Sequence, residues 1–223
     1  ITTRLVGSEM CIRDRNNTYV DYQTILKDKD ILSIKAYEQG RDFIEEESSL
    51  EIIYEDDLLC VVNKPSNLII HPDDKSKKNT LCNYVSYYYQ QSYQDLPIRY
   101  LHRLDRDTTG LVMFCKCALL QPYFDYMIAS KKIKKTYLAI IQGHLPKREI
   151  TIDLPIGQDR HSKNKMCISK TGKDALTHFK EIKTKGNYTL VKCQIETGRK
   201  HQIRVHLNHL HHPILSLIHI SEP

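Results

Sequence analysis

A short polar segment over residues 101–108 carries the side chains best suited to chemistry. It reads LHRLDRDT and runs directly into the apolar, strand-like residues 111–117. Asp105 is therefore expected where a loop enters a sheet, with Arg103 and Arg106 beside it. A carboxylate within about 4–6 Å of an arginine keeps its charge, and a fixed, ionised carboxylate can act as a nucleophile or a base. The same residues could also form a plain turn held by ion pairs.

A second polar segment, ETGRKHQIRVHLNHLHHPI, covers residues 196–214. Arg204 stands between Ile203 and Val205, so we expect its side chain to be partly buried. A buried arginine needs an anionic partner, because an unpaired buried charge costs several kcal/mol. Asp105 is a suitable partner, and a bidentate pair would hold its carboxylate in one orientation.

A third segment, KKIKKTYLAIIQG, covers residues 131–143 and places four lysines before an apolar strand. These lysines could bind phosphates, or they could form a solvated helix end. Tyr137 opens the strand, so its ring is expected inside with its hydroxyl seeking a partner. A tyrosine that only packs in the core would give the same pattern.

The composition favours a polyanionic partner and a reducing compartment. The 223 residues include 33 Lys and Arg against 27 Asp and Glu, a formal net charge of +6, although a basic soluble protein need not bind nucleic acid. Seven cysteines without a C-x-x-C pair fit the cytosol better than a disulfide framework. An apolar run of the roughly 18–20 residues that span a bilayer is missing, and a secretory signal is not expected.

The elements that must position these segments follow from the hydrophobic pattern. Strand-like and helical stretches mix along the chain with several apparent hairpins, which predicts an α+β domain around a largely antiparallel sheet. We expect strands at 50–56, 58–65, 111–117, 135–143, 149–153, 175–183 and 188–196, and helices at 78–91, 118–131 and 200–210.

The pattern divides the chain into five parts. Residues 1–15 and 216–223 resemble translated sequencing-adapter DNA, so both are expected to be foreign segments. Residues 16–37 alternate apolar and charged positions and are interpreted as the remnant of a small basic domain. The acidic residues 38–49 suit an exposed linker, and residues 50–215 form the main domain.

Four motifs in the main domain resemble the RNA pseudouridine synthases of the RluA type, which modify ribosomal and some transfer RNA. They are VVNKPSNLIIHP, HRLDRDTTGLVMF, KKTYLAIIQGHLP and TGRKHQIRVHLNHLHHPI, in the order and at the spacing of that family. The resemblance covers roughly residues 50–215. It implies a mixed, largely antiparallel sheet flanked by helices, with the C-terminal part of the catalytic domain missing, and it implies that 16–37 belong to an N-terminal RNA-binding domain.

The resemblance also implies a role for each matched residue. Asp105 would be the catalytic aspartate, which attacks the ribose or helps to form a glycal so that uracil detaches. Tyr137 would pack against the base and is a candidate for removing the proton from carbon 5, while Arg204 would pair with Asp105. Further side chains would contact the flipped nucleotide or its RNA: Arg103, Lys64, His102, Lys131, Lys132, Lys135, Arg199 and His201.

No cofactor and no metal are implied, because the glycosidic bond only moves from nitrogen 1 of uracil to carbon 5 and nothing is consumed. RNA is the expected partner, with large-subunit ribosomal RNA favoured and transfer RNA as the second possibility. The chain is expected to act as a monomer in the cytoplasm.

Three positions depart from the family pattern. Asn67 replaces the glycine of the K-P-x-G-L turn, a mild change because asparagine tolerates the left-handed conformation. His211 replaces the glycine of G-H-P-I, a harsher change if that position needs a positive φ. From Ser216 onward the sequence leaves the family pattern, so we expect an uncovered apolar sheet edge and poor solubility.

Two other classes of function stay open at this point. His206 and His209 form an i, i+3 pair that could bind zinc, with His211 and His212 nearby. A non-catalytic RNA-binding module would also keep the basic surfaces.

Overall fold

The computed structural model describes residues 11–21, 23–36, 43–73, 77–159, 162 and 165–222. Most of these residues belong to one eight-stranded sheet with helices packed on it, and the first ones form a small separate sheet. Among the described residues, no helix combines the length and the apolar character that crossing a membrane would need.

The small sheet contains strands β1 (Cys11–Arg15), β2 (Thr18–Tyr19) and β3 (Leu32–Ala36), in the order β2-β1-β3 and antiparallel throughout. Asn16 and Asn17 both have positive φ, as a two-residue hairpin turn requires. Residues 1–10 of the predicted foreign segment lie outside the described residues, whereas residues 11–15 form β1. The foreign origin of 1–15 and the RNA-binding role of 16–37 stay predictions.

The large sheet has the strand order β4-β5-β6-β13-β7-β12-β11-β8, and all its pairs are antiparallel except β6 with β13. Its strands are β4 (Glu51–Glu55), β5 (Leu59–Lys64), β6 (Thr109–Cys115), β7 (Lys134–Gln142), β8 (Glu149–Asp153), β11 (Leu176–Lys185), β12 (Tyr188–Ile195) and β13 (Ile214–Glu222). The short strands β9 (Ile156–Gln158) and β10 (Met166–Ile168) pair with each other.

Strand β6 is buried on both faces, which explains its nearly continuous apolar sequence. Val112 and Phe114 belong to the main core, whereas Met113 and Cys115 belong to a second cluster on the other face. Phe124 and Ile128 pack against this second cluster from helix α2 (Gln121–Ala129). The sheet is thus covered on both sides at the point where β6 leaves the polar segment 101–108.

Two further helices complete the domain. Helix α1 (Leu81–Gln91) begins at Thr80, whose side chain forms a capping box with Asn83, and it buries Leu81, Val85 and Tyr89. Helix α3 (Gln202–His209) follows the end of β12 and contacts β10, β11 and β13. A single 3₁₀ turn, Ala118–Leu120, precedes α2.

The described half of the predicted linker, residues 43–49, is exposed or half-buried, and part of it contacts helix α1. The side-chain amide of Asn83 in α1 donates to the Ile44 carbonyl at 2.7 Å, and the backbone carbonyl of Asn83 accepts from the Glu46 amide at 3.4 Å. The hydroxyl of Ser86 donates to the Phe43 carbonyl, and Phe43 packs on the main core. Residues 43–46 therefore lie along α1, while residues 38–42 lie outside the described residues.

Strand β13 occupies the centre of the sheet. It pairs antiparallel with β7 and parallel with β6, where His219 lies opposite Gly110. Gly110 has φ +114°, and a Cβ atom there would lie 2.1 Å from the His219 carbonyl oxygen, so only glycine fits. The position between β6 and β7 is thus occupied by β13 in the described structure. The foreign origin of 216–223, the missing C-terminal part and the poor solubility stay predictions.

Candidate active site

The loop 101–108 holds Asp105 at the entrance of strand β6. The Leu101 amide donates to the Met113 carbonyl at 2.9 Å, and the Thr108 amide donates to the Asp105 carbonyl at 3.1 Å. Leu101 and Leu104 are buried. The loop is therefore fixed at both ends, and the Asp105 carboxylate, 30% exposed, projects from a rigid turn.

Lys64 supports this loop from below. Its side chain is fully buried, and its ammonium group donates to the carbonyls of Pro65, Leu68 and Arg106 at 2.8–2.9 Å. Burial lowers the pKa of Lys64 to about 8, against the opposing effect of the nearby Asp107 and Asp105 charges. The prediction that Lys64 binds RNA is wrong, because this side chain has no surface that RNA could reach.

The K-P turn takes the conformation that its asparagine suggested. Asn67 has φ +60°, and the Leu68 amide after it donates to the Arg106 carbonyl at 3.2 Å. The asparagine therefore substitutes for glycine as predicted, and the turn closes onto the loop that carries Asp105.

Two basic side chains of the 196–214 segment lie within 4 Å of Asp105, one at each carboxylate oxygen. The Arg204 Nε atom lies 3.8 Å from Oδ2, and the His201 Nε2 atom lies 3.9 Å from Oδ1. Arg204 is about one third exposed. The predicted pairing of Arg204 with Asp105 is therefore present, but as a single contact through Nε instead of a bidentate pair.

The helix that carries Arg204 is anchored to the sheet by Gln202. The Gln202 side-chain amide donates to the Leu176 carbonyl at 3.0 Å and to the Thr177 hydroxyl at 2.9 Å. Its carbonyl oxygen accepts from the Thr197 hydroxyl at 2.8 Å and from the Arg199 amide at 3.0 Å. The buried Gln202 side chain thus donates two hydrogen bonds and accepts two, so the start of α3 is fixed to β11.

His206 forms the second anchor of α3. Its Nε2 lies 3.0 Å from the Leu154 carbonyl, which can only accept, so Nε2 carries the proton. Its Nδ1 then accepts from the Thr177 hydroxyl at 2.9 Å, and the same hydroxyl accepts from Gln202. Burial lowers the pKa of His206, partly offset by the hydrogen bond to Leu154.

The zinc hypothesis gains no support from this arrangement. His206 would have to give up a hydrogen bond to bind a metal, and the Nδ1 of His212 lies 3.2 Å from the Gln142 carbonyl. Within the described part of the chain, no three His, Cys, Asp or Glu side chains are grouped as metal ligands would be. The expected absence of a metal stays a prediction.

Tyr137 lies on β7 and lines the same cavity as Asp105. Its side chain is buried, and its ring packs against the His219 ring with centroids 4.6 Å apart. Burial raises the pKa of Tyr137, and the negative charge of Asp105 raises it further. The phenol therefore stays protonated at physiological pH and offers a ring edge and a hydroxyl donor.

The cavity around Asp105 has a volume of about 550 Å³, within the range of pockets that hold small ligands. Its described lining brings together residues from the loop 101–108, from β7 and from the start of α3. The lining holds five lysines and arginines against one carboxylate, that of Asp105. The cations are Arg103, Lys135, Arg199, Lys200 and Arg204.

His102 forms part of the cavity wall as a neutral ring. Its Nε2 accepts from the Met113 amide at 3.3 Å, and its Nδ1 has no hydrogen-bond partner in the described structure. Burial is the largest of the effects that lower the pKa of His102 to about 3, and the neighbouring His219 and Lys135 contribute to the same shift. Its predicted contact with RNA stays a prediction, and a neutral ring would contact a base or ribose instead of a phosphate.

Two of the predicted RNA-binding lysines lie away from the cavity. Lys131 forms an ion pair with Glu196 and lines a neighbouring depression that also includes Lys135. Lys132 lies over the Tyr126 ring, 5.4 Å from its centroid. The structure therefore separates Lys131 and Lys132 from Asp105 and keeps Lys135 near it.

Sequence reasoning missed two residues of the site. Tyr100 lines the cavity and stacks on His71 with ring centroids 5.5 Å apart; its position just before the LHRLD segment was the available signal. Gln202 anchors α3, and the signal there was an uncharged polar residue between His201 and Ile203 in an otherwise basic segment.

Comparisons with known proteins show the family to which this chain is similar. The family model described as RNA pseudouridylate synthase matches residues 58–209. The chain is 37% identical over 202 residues to an uncharacterized RNA pseudouridine synthase of Bacillus subtilis (strain 168), covering 89% of this chain and 67% of that protein. It is 34% identical over 198 residues to ribosomal large subunit pseudouridine synthase D of Haemophilus influenzae, covering 89% of this chain and 61% of that protein.

The fold also matches a solved structure. Human RNA pseudouridylate synthase domain containing 1 superposes with a TM-score of 0.64 at 22% identity, over 79% of this chain and 80% of that one. This likeness concerns the fold alone, and it confirms the predicted α+β architecture. The chain spans about three fifths to two thirds of the length of the two curated relatives.

Proposed function

The chain belongs to the RNA pseudouridylate synthase family, and from that premise we propose that it isomerises uridines in RNA to pseudouridine with Asp105 as its catalytic residue. The observation that carries this proposal is the position of the Asp105 carboxylate. It projects from a rigid turn into a cationic cavity, with Arg204 at one oxygen and His201 at the other.

A uridine inside folded RNA must first leave its stack, at a cost of a few kcal/mol. The cavity has the volume to receive it, and the exposed Arg103 at the lining can occupy the place that the base leaves. Asp105 then attacks carbon 1′ of the ribose, or removes a ribose proton to give a glycal, and in either case the bond to nitrogen 1 breaks. Carbon 5 of the rotated uracil forms the new bond to carbon 1′, which releases the Asp105 carboxylate or returns the ribose proton. Carbon 5 finally loses its proton, and nitrogen 1 gains one. Confinement in the cavity lets rotation compete with escape of the base.

Tyr137 suits one of its two suggested roles better than the other. Its raised pKa keeps the phenol protonated, and a protonated phenol is a poor acceptor for the proton of carbon 5. A buried ring in the cavity wall is well placed to pack against a flipped base. The geometry therefore supports packing of the base by Tyr137 more than proton removal.

We further infer that the substrate is large-subunit ribosomal RNA, since a relative 34% identical bears the name of a ribosomal large subunit pseudouridine synthase. The cations of the cavity would hold phosphates, so binding should weaken as salt increases. The reaction needs no added reactant, so we propose no cofactor, and we place the protein in the cytoplasm as a monomer.

Replacing Asp105 by Asn tests the proposal, because the amide keeps the size of the side chain and removes its charge. We expect pseudouridine formation to fall by about 10³-fold or more, with RNA affinity within about threefold of the wild type. Asp107→Asn is the matched control, since Asp107 is an exposed neighbour in the same turn. A binding module would give a wild type without any pseudouridine formation, which would refute the proposal.

A further inference from the structure

Each oxygen of the Asp105 carboxylate has a basic side chain within 4 Å. Of these two contacts, only that of Arg204 was predicted from the sequence. Arg204 approaches Oδ2, while the imidazole of His201 approaches Oδ1 at 3.9 Å. The side chains of His201 and Asp105 are exposed to a similar extent, 35% and 30%. A contact of this length can tighten once substrate is bound.

The backbone of His201 is in an unusual conformation. His201 has φ +56° and ψ +24°, the left-handed region that residues other than glycine rarely adopt. It precedes α3 as the N-cap residue, yet its side chain makes no capping hydrogen bond. The ring therefore does not serve the helix end, and the left-handed conformation coincides with its approach to Asp105. Such outliers concentrate at functional sites.

The position of His201 is also fixed by its neighbours along the chain. Gln202 is anchored to β11 by its side-chain bonds, and the His201 carbonyl accepts from the Val205 amide at 2.9 Å. Because the residues after it are anchored, the backbone of His201 is fixed at the position from which its ring approaches Asp105.

We propose that His201 is a positioning residue for Asp105, holding Oδ1 while Arg204 holds Oδ2, and not an RNA contact as the sequence analysis expected. This inference rests on the proposed function. A nitrogen contact at each oxygen, at 3.9 and 3.8 Å, restricts rotation of the carboxylate about its Cβ–Cγ bond more than the contact of Arg204 alone would. A correctly rotated carboxylate presents its attacking oxygen to the ribose more often.

The variant His201→Asn removes the ring and keeps a residue that tolerates the left-handed conformation. In single-turnover reactions with saturating protein, we expect the rate of pseudouridine formation to fall about 10- to 100-fold, with RNA affinity within about twofold of the wild type. His209→Asn is the matched control, because His209 is an exposed histidine on the same helix, and it should leave both quantities unchanged.

A larger loss of RNA affinity than of rate in His201→Asn would overturn the inference and return His201 to an RNA contact. An unchanged rate would overturn it as well.

A measurement without activity separates this inference from the proposed function. In Asp105→Asn we expect the side-chain ¹⁵N resonances of His201 to shift, while those of His209 stay in place. Unmoved His201 resonances would contradict the inference even in an active enzyme. If instead the wild type forms no pseudouridine, the proposed function fails, and the resonances still test the contact.

Discussion

The two faces of helix α3 hold polar side chains in opposite ways. On the cavity face, the side chains of Arg204 and of His201, the residue just before the helix, lie 3.8 and 3.9 Å from Asp105. Both side chains are about one third exposed. On the sheet face, Gln202 and His206 are buried and make hydrogen bonds of 2.8–3.0 Å that satisfy every polar atom of both side chains.

The difference shows where the domain places its rigidity. Breaking a buried, satisfied hydrogen bond costs about 1–3 kcal/mol, whereas a partly exposed ion pair contributes about 0–1 kcal/mol. The sheet face therefore fixes the helix, and the cavity face keeps charges that can change partners when RNA enters. Stability and chemistry should separate cleanly between substitutions on the two faces.

The largest expected effect is on the cavity face. Arg204→Ala should slow pseudouridine formation by about 10²- to 10³-fold, because Asp105 loses the cation at one oxygen. The free energy of unfolding should change by less than about 1 kcal/mol, since Arg204 is partly exposed. Single-turnover rates and urea denaturation measure the two effects. If Arg204→Ala were slow because much of the protein is unfolded, the proposed separation between the cavity face and the sheet face would be wrong.

The opposite result is expected on the sheet face. Gln202→Ala should lower the free energy of unfolding by about 2–3 kcal/mol, because it removes four buried hydrogen bonds, those to the Leu176 carbonyl, the Arg199 amide and the Thr177 and Thr197 hydroxyls. At a temperature where the variant is folded, its rate should fall less than that of Arg204→Ala. Urea denaturation checks the first point, and a Gln202→Ala protein as stable as the wild type would show that α3 is anchored elsewhere.

The buried histidine of the cavity wall predicts a loss of stability in acid. The pKa of His102 falls from 6.5 to about 3 on burial, so below pH 6.5 the unfolded chain binds a proton that the folded one does not. The free energy of unfolding should therefore fall with decreasing pH from about 6.5, by up to about 1.4 kcal/mol per unit for this group.

Urea denaturation at several pH values of the wild type and of His102→Asn measures this dependence. The variant should show a shallower decline over the same pH range. Equal slopes for the two proteins would mean that His102 is not held neutral in the folded state.

The smallest effect is expected where α3 ends. His211 has φ +62°, and the helix closes with His211 donating its amide to the Asn208 carbonyl and His212 to the Leu207 carbonyl, the pattern in which glycine is preferred. His211→Gly should raise the free energy of unfolding by about 0.5–1 kcal/mol without altering the rate of pseudouridine formation. Urea denaturation and single-turnover reactions measure the two quantities. A destabilised variant would show that the His211 side chain contributes a contact of its own.

The strands and helices that face the core were predictable, and their bounds agree within a few residues. Strand β8 at Glu149–Asp153 coincides with its prediction, and β6 was identified from its apolar run because both its faces are buried. Strands β9 and β10 were missed, since three-residue strands show no period. Residues 216–222 of β13 were assigned to a foreign tail, and the pairing of this strand with β6 and β7 depends on partners 73 to 109 residues away.

The order and types of residues carried the resemblance to the family, which pointed to Asp105, Tyr137 and Arg204, and they indicated a left-handed residue at Asn67, because motifs and turns depend on residues close in sequence. Only the tertiary structure decided which basic side chains serve the cavity. It buried Lys64 beneath the loop, moved Lys131 and Lys132 away from Asp105, and brought His201 to the second carboxylate oxygen. A lysine has the same side chain in solvent, in a core or beside a phosphate, and packing of distant segments selects among these environments.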